Sequence, residues 1–232
     1  MTAIDARAGL GAQVWAALAT VRDPELDQPV TDLGFVSVAE VEDGRARVRL
    51  RLPTYFCAPN FAYLMVADAR DAVPDVPGVS EVDVQLVDHF AAEEINEGVA
   101  AAAGFTGSFP AQATGELDEL RVTFRRKAHL ACLERACQKL IAGGWHIEEL
   151  AHVQLSDLPD SPERASLVRR RAELGLPTDD GARLFTDDDG GPVEAGSVAG
   201  RLRFAKAVRV SVDGNAAFCQ GLLRTRYPEE AS

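Results

Sequence analysis

Residues 45–52 read Arg-Ala-Arg-Val-Arg-Leu-Arg-Leu, an unbroken alternation that only an extended strand turns into two distinct surfaces. Side chains of a strand point to opposite faces in turn, so Ala46, Val48, Leu50 and Leu52 share one face and Arg45, Arg47, Arg49 and Arg51 the other. One face is core and the other is wet, as in a sheet covered on one side. We read the arginine row as a solvated face. Asp43-Gly44, just upstream, is a hairpin turn signal, and Leu33 to Val41 before it is rich in branched and apolar residues. Two antiparallel strands follow, and neighbouring segments must supply the layer that covers their apolar face.

Those segments are recognisable by their period. Leu10, Val14, Leu18 and Val21 recur at helical spacing over residues 8–21, and Asp23-Pro24 ends that helix because proline disfavours helix in the residue before it. Pro59 opens a second helix carrying Phe61, Leu64, Met65, Asp68 and Ala72 at the same spacing, which stops before Pro74. Val82, Val84 and Leu86 alternate with polar neighbours as a third strand. The fold class is α+β, and residues 1–90 form a two-layer helix-strand-strand-helix-strand domain. Residues 91–115, rich in alanine and broken by Gly104, Gly107 and Pro110, read as a linker.

Residues 116–232 read as a second α/β domain of unrecognised family. Leu117–Phe124, Ile147–Leu155 and Ala207–Val212 are expected as strands. Helices are expected over Arg126–Ala142, over Pro162–Leu174 with Ser161 as cap, and over Ala216–Arg226 after a turn at Asp213-Gly214-Asn215. Thr178 to Gly200, with its aspartates and Gly190-Gly191, reads as a long surface loop holding a short hairpin near Leu184-Phe185. No repeat of fixed period occurs.

Composition narrows the function classes. With 36 acidic against 24 basic side chains the formal charge is −12, which repels phosphate backbones and anionic membrane surfaces, so nucleic acid and membrane are not expected as partners. The opening Met1-Thr2-Ala3-Ile4-Asp5 has no basic stretch leading into an apolar run, and no long apolar run suited to a membrane span occurs elsewhere. Four scattered cysteines, Cys57, Cys132, Cys137 and Cys219, do not make a secreted disulfide framework, and the expected setting is the cytoplasm.

Cys57 is the most informative of them. It lies in the loop Pro53-Thr54-Tyr55-Phe56-Cys57-Ala58-Pro59, ahead of a helix N-terminus whose partial positive charge favours the thiolate, the form that binds metals or attacks electrophiles. Free cysteine is also a common core filler. His129 and Cys132 share a helix face, but without a C-x-x-C pair they read as packing, and Cys219, near Phe218, Leu222 and Leu223, reads as core on the last helix. The aspartates at 187–189 do not meet a calcium-loop template, and there is no phosphate-binding lysine loop, dinucleotide glycine fingerprint or serine elbow.

Asp23-Pro24-Glu25-Leu26, Asp32-Leu33-Gly34-Phe35-Val36, Thr54 with Cys57, and Pro77-Gly78-Val79-Ser80-Glu81-Val82-Asp83-Val84 stand in an order that resembles the PaaD-like and SufT-like iron–sulfur cluster assembly family over residues 8–90. The resemblance implies a non-enzymatic factor that helps metallate a client metalloprotein, an oxygenase being one such client. It implies Cys57 as the metal-binding residue, with Thr54, Asp23 and Glu25 as its neighbours, and iron or an iron–sulfur cluster as transient cargo. One cysteine cannot fill a cluster's coordination shell, so a homodimer or a partner's ligands would complete it.

The sequence departs from the family pattern at Ala58, where proline usually follows the cysteine directly, and at Asp88-His89-Phe90, which offers His89 as an extra metal ligand. Asp23 and Glu25 also fit a plain turn and cap around Pro24. The alternatives to a carrier are a metal-free adaptor or chaperone for an apo-metalloenzyme, and an enzyme with Cys57 as nucleophile, for which His89 is the one histidine of the first domain.

Overall fold

The computed structural model describes residues 3–228, with side chains described from residue 9. The chain forms two compact units, one made of residues up to Glu119 together with those from Asn215 on, the other of Leu120–Gly214. Elements run α1 (Ala3–Leu18), β1 (Val36–Glu42), β2 (Arg45–Arg51), α2 (Pro59–Ala72), β3 (Glu81–Val87), α3 (Ala92–Ala100), α4 (Gly104–Ser108), α5 (Asp118–Ala142), α6 (Pro162–Glu173) and α7 (Val198–Arg226). The α+β class and the helix-strand-strand-helix-strand order of the first part stand as expected.

In the first unit β2 is central, antiparallel to β1 and parallel to β3. The hairpin turns at Asp43 (φ 49°) and Gly44 (φ 81°), the pair of left-handed residues that suits the twist of the strands it joins. Ala46, Val48, Leu50 and Leu52 are buried among Val14, Leu18, Met65, Val66 and Leu86. The opposite face carries cross-strand ion pairs, Arg45 to Glu81 at 3.7 Å, Arg47 to Glu40 at 3.8 Å and Arg49 to Asp83 at 2.8 Å. Arg51 departs from the solvated row: it is buried under the Tyr227 ring, 4.3 Å from its centroid.

Residues 91–115 are not a linker. They hold α3 and α4, and Ile95, Val99 and Phe109 complete the same core. Asn96 on α3 accepts from the Leu86 N–H at 2.8 Å and donates to its carbonyl at 3.0 Å, pairing backbone groups on the edge strand β3.

The second unit corrects the expected strands. Asp118–Phe124 forms the first turns of α5, Ile147–Leu155 holds a 3-10 turn over Ile147–Ala151 and the first residue of another over Leu155–Asp157, and Ala207–Val212 lies in the middle of α7. Helical burial decides the last case. Leu202, Ala205, Val212 and Ala216 are buried at spacings of whole turns, and the helix preference lost at β-branched residues is small enough for packing to override. Arg209 then reaches Glu134 and, at 2.8 Å, Asp213, which also accepts from Arg135 at 2.5 Å. Glu134, with no exposed surface, is thereby matched by a guanidinium. Pro162 and the Ser161 cap, whose Oγ accepts from Arg164 N at 3.3 Å, start α6 as expected. The Thr178–Gly200 segment is anchored, because Leu184 and Phe185 are buried among Leu133, Leu140, Leu155 and Leu167.

Two predictions follow from this packing. Asn96→Leu strips partners from Leu86 and should destabilise the protein by about 1–2 kcal/mol in urea or thermal unfolding; a wild-type midpoint would contradict the edge-pairing role. His129 on α5 is half-buried with its Nε2 shielded from solvent, and this desolvation lowers its pKa to about 4, with Arg171 adding to the effect. The unfolded chain then binds more protons between pH 4 and 6.5, so stability should fall by roughly 2–3 kcal/mol as pH drops through that window. His129→Gln should flatten that part of the stability–pH curve, and an unchanged slope would refute the assignment.

Candidate functional site

Because β2 and β3 are parallel, their C-terminal ends lie side by side, and the loops that leave them meet. The first loop carries Thr54 and Cys57, the second His89. Thr54 Oγ1 lies 3.1 Å from Cys57 Sγ. His89 is 5% exposed, its Nδ1 accepts from Ala91 N at 3.2 Å, and its Nε2 therefore carries the proton and donates to the Cys57 carbonyl at 2.8 Å. Burial, opposed by that hydrogen bond, lowers its pKa and favours the neutral ring.

With both nitrogens committed, His89 has no lone pair left for a metal. It holds the cysteine loop instead, and the expected ligand role is corrected accordingly. Ala58 occupies the N-cap position of α2 with an extended ψ of 125°, so Cys57 stands one position before the N-cap rather than at it. Cys57 is half-buried and a free thiol.

Asp23 and Glu25 sit in the turn after α1. Asp23 is 7% exposed, and its Oδ1 accepts from the N–H groups of Glu25 and Leu26, both at 2.8 Å. Burial pushes its pKa up to about 6 against the pull of those two bonds. The turn-and-cap reading of Asp23 is thus realised in the structure. Glu25 accepts from Asn215 Nδ2 at 3.4 Å.

That contact introduces an element absent from the sequence reading of the site. Residues 215–226 of α7 pack on this domain, with Ala216 and Leu223 in its core. Gly34, at φ 75°, lies so close to Leu223 that a Cβ there would come within 3.2 Å of its Cδ2, so the Asp32-Leu33-Gly34 motif needs glycine both for its backbone and for this approach. Arg226 donates to the carbonyls of Leu52 at 3.0 Å and Asp88 at 2.5 Å, and Tyr227 donates to Asp88 Oδ2 at 3.0 Å. A cavity of ≈ 300 Å³ lies between Thr31–Gly34, Arg51 and the residues Gln220, Leu223 and Tyr227. Cys219, expected as core, is half-buried on this stretch. Its thiol is pushed up to about 11, first by burial and then by Asp23, Cys57 and Glu25.

Three aromatic side chains flank the cysteine loop in solvent: Phe56 is 74% exposed, Tyr55 and Phe90 about half, and the Tyr55 and Phe90 rings lie 6.3 Å apart. For Tyr55 and Phe56 the available signal was their place beside Cys57 in the loop, and for Phe90 its place next to His89 after β3. Cys132 and Cys137 are buried in the second unit, where burial raises the Cys137 thiol to about 12, so they are packing residues as expected. That unit has its own cavity of ≈ 530 Å³ lined by Val122, Leu130, Leu133, Phe185 and Phe204, with the buried His129 Nε2 and Thr186 Oγ1 unpartnered on its wall. Among the described residues no three His, Cys, Asp or Glu side chains are grouped to hold a metal, and no helix is long and apolar enough to cross a membrane.

A three-stranded sheet presenting one half-buried cysteine at the C-terminal end of its parallel pair, backed by helices, defines a small thiol-presenting domain. Residues 11–84 match the family of iron–sulfur cluster assembly proteins, and the chain belongs to that family through this domain. An uncharacterized protein of Methanocaldococcus jannaschii is 33% identical over 82 residues, 35% of this chain and 84% of that protein. Iron–sulfur cluster carrier proteins of Deinococcus radiodurans and Mycobacterium tuberculosis (strain H37Rv) are 37% identical over 70 residues and 41% over 78. These matches cover 30% and 33% of this chain, which spans only 19% and 20% of the two carriers' length.

Native-state alkylation tests the burial pattern. Iodoacetamide should label Cys57 and Cys219 in the folded protein and spare Cys132 and Cys137 until denaturant is added, read by peptide mass spectrometry. Early labelling of Cys137 would contradict the packing described.

Proposed function

We propose that this protein is a non-catalytic carrier that holds iron or a nascent iron–sulfur cluster through Cys57 and passes it to a client metalloprotein. The observation that carries the reading is the Cys57 loop itself: a free, half-buried thiol on a framework fixed by the His89 bond to its own carbonyl. Thiolate is a fitting ligand for iron, and a single protein thiol leaves coordination positions open for a second donor or an incoming client. The carrier proteins it resembles over this domain support the same class of cargo.

A non-catalytic role is supported by the state of His89, which spends both nitrogens on backbone groups and so offers no base to activate the thiol. The exposed aromatics Tyr55, Phe56 and Phe90 suit a client surface that must come close to Cys57 to collect the cargo, since aromatic side chains are favoured anchors at protein interfaces. The Leu120–Gly214 unit, with its apolar cavity and two unpartnered polar groups, is the part that selects the client. An oxygenase is one client of the right chemistry.

Anaerobic reconstitution with ferrous iron and sulfide tests this reading. Wild-type protein should retain iron and show sulfur-to-iron absorbance, and Cys57→Ser should lose both by about tenfold or more in affinity. A wild type that retains no iron would overturn the carrier in favour of a metal-free client chaperone.

A further inference from the structure

We infer that the cavity of the Leu120–Gly214 unit binds a small apolar carboxylic acid, its hydrocarbon body held among residues of α5, α6 and α7 and its carboxylate paired with Arg201. The inference goes beyond the carrier reading of Cys57 and does not depend on it. Val122, Arg126, Leu130 and Leu133 recur at whole-turn spacing, so α5 turns one face to the cavity. The first turns of α7 contribute Gly200, Arg201 and Phe204, and the segment after α6 contributes Leu176 and Phe185. The cavity is open to an incoming ligand, since Val122 and Phe204 are exposed and a Cβ at Gly200 would meet nothing closer than 3.9 Å. Its volume of ≈ 530 Å³ is that of a small-molecule site, larger than the voids left by ordinary packing. At about 30 Å³ for each water-sized group, it takes a ligand of up to roughly 15 non-hydrogen atoms.

The charges around this space select the ligand's polar end. Glu173 is paired with Arg170, and Asp188 with Arg126 at 3.8 Å. Asp187 is turned into its own loop, where Oδ1 accepts from the N–H groups of Asp189 at 3.1 Å and Gly191 at 2.7 Å. The Arg201 guanidinium has neither an ion pair nor a hydrogen bond among the described residues, and it lines the same cavity. Beside apolar walls water screens a charge less, so an anion brought there by its hydrocarbon body gains more from that guanidinium than it would in open solvent. His129 Nε2 and Thr186 Oγ1, on residues of the same lining, are shielded from solvent and without a partner. Both can donate a hydrogen bond, and buried polar atoms are ordinarily paired. An oxygen acceptor carried in by the ligand supplies what the described residues do not. An amine would meet Arg201 with like charge, and a plain hydrocarbon would leave all three groups unpaired.

Decanoate and naphthoate, an alkyl and an aryl acid, are the probes, titrated calorimetrically into the full chain at neutral pH. Binding of at least one of them at a single site is expected. Arg201→Gln should weaken that binding roughly fivefold and leave unchanged the affinity for decanol, which has the same chain and no charge. Leu130→Trp, which places an indole in the cavity, should weaken every ligand by about tenfold or more. Circular dichroism checks that each variant is folded, and because Arg201 is exposed, its substitution keeps the test decisive if the indole disturbs the unit. Failure of both acids to bind would overturn the inference. Acid binding that persists undiminished in a folded Leu130→Trp protein would place the acid elsewhere and overturn it too. Decanol bound as tightly as decanoate, with Arg201→Gln indistinguishable from wild type, would overturn the carboxylic acid as the ligand.

Discussion

Strand β2 is hydrogen-bonded along both edges, antiparallel to β1 and parallel to β3, and its inward residues Ala46, Val48, Leu50 and Leu52 are buried. The parallel edge has the larger functional consequence. Parallel neighbours end on the same side of a sheet, so the segments that leave β2 and β3 are brought together even though a whole helix separates them in sequence. The hydrogen bond from His89 to the Cys57 carbonyl spans that junction. Had β3 joined the sheet in the other direction, the thiol and the histidine would lie at opposite ends of it. The helices α1, α2 and α3 cover the apolar face and leave the loop end open to solvent at Tyr55, Phe56 and Phe90.

The groups around this junction differ in how they are held. His89 and Asp23 are buried side chains that satisfy backbone donors and acceptors, and both keep their loops in shape. Cys57, the thiol of the proposed carrier site, is free and keeps some exposure. Rigid support from hydrogen-bonded neighbours combined with accessible sulfur suits a site that must accept and release its load, because the loop need not rearrange each time. The C-terminal stretch adds to that support through Arg226 and Tyr227, which hold the backbone and side chain of Asp88 beside His89.

The first part of the fold was legible because its signals are local. Period-two alternation, the Asp43-Gly44 turn and Pro59 at a helix start each act over a few residues, and the structure places each where the sequence implies. The second part misled for an equally physical reason. Ala207–Val212 alternates branched and polar residues like a strand, yet its neighbours Leu202, Ala205, Val212 and Ala216 form a helical stripe that only a longer window reveals. At the site, Cys57 and Thr54 were legible from the loop. The structural task of His89 was not, since both its partners are backbone groups. The packing of residues 215–226 on this domain was unreadable, because nothing local in that stretch shows that Asn215 reaches Glu25 or that Leu223 enters the core.

The central claim is that protein sulfur holds the metal at the Cys57 loop. Iron K-edge X-ray absorption on the full chain loaded with ferrous iron, without added sulfide, measures this most directly, because every sulfur neighbour of the iron must then come from the protein. The account predicts sulfur in the first coordination shell that is diminished in Cys57→Ser. A shell of oxygen and nitrogen alone, identical in wild type and Cys57→Ser, would contradict it.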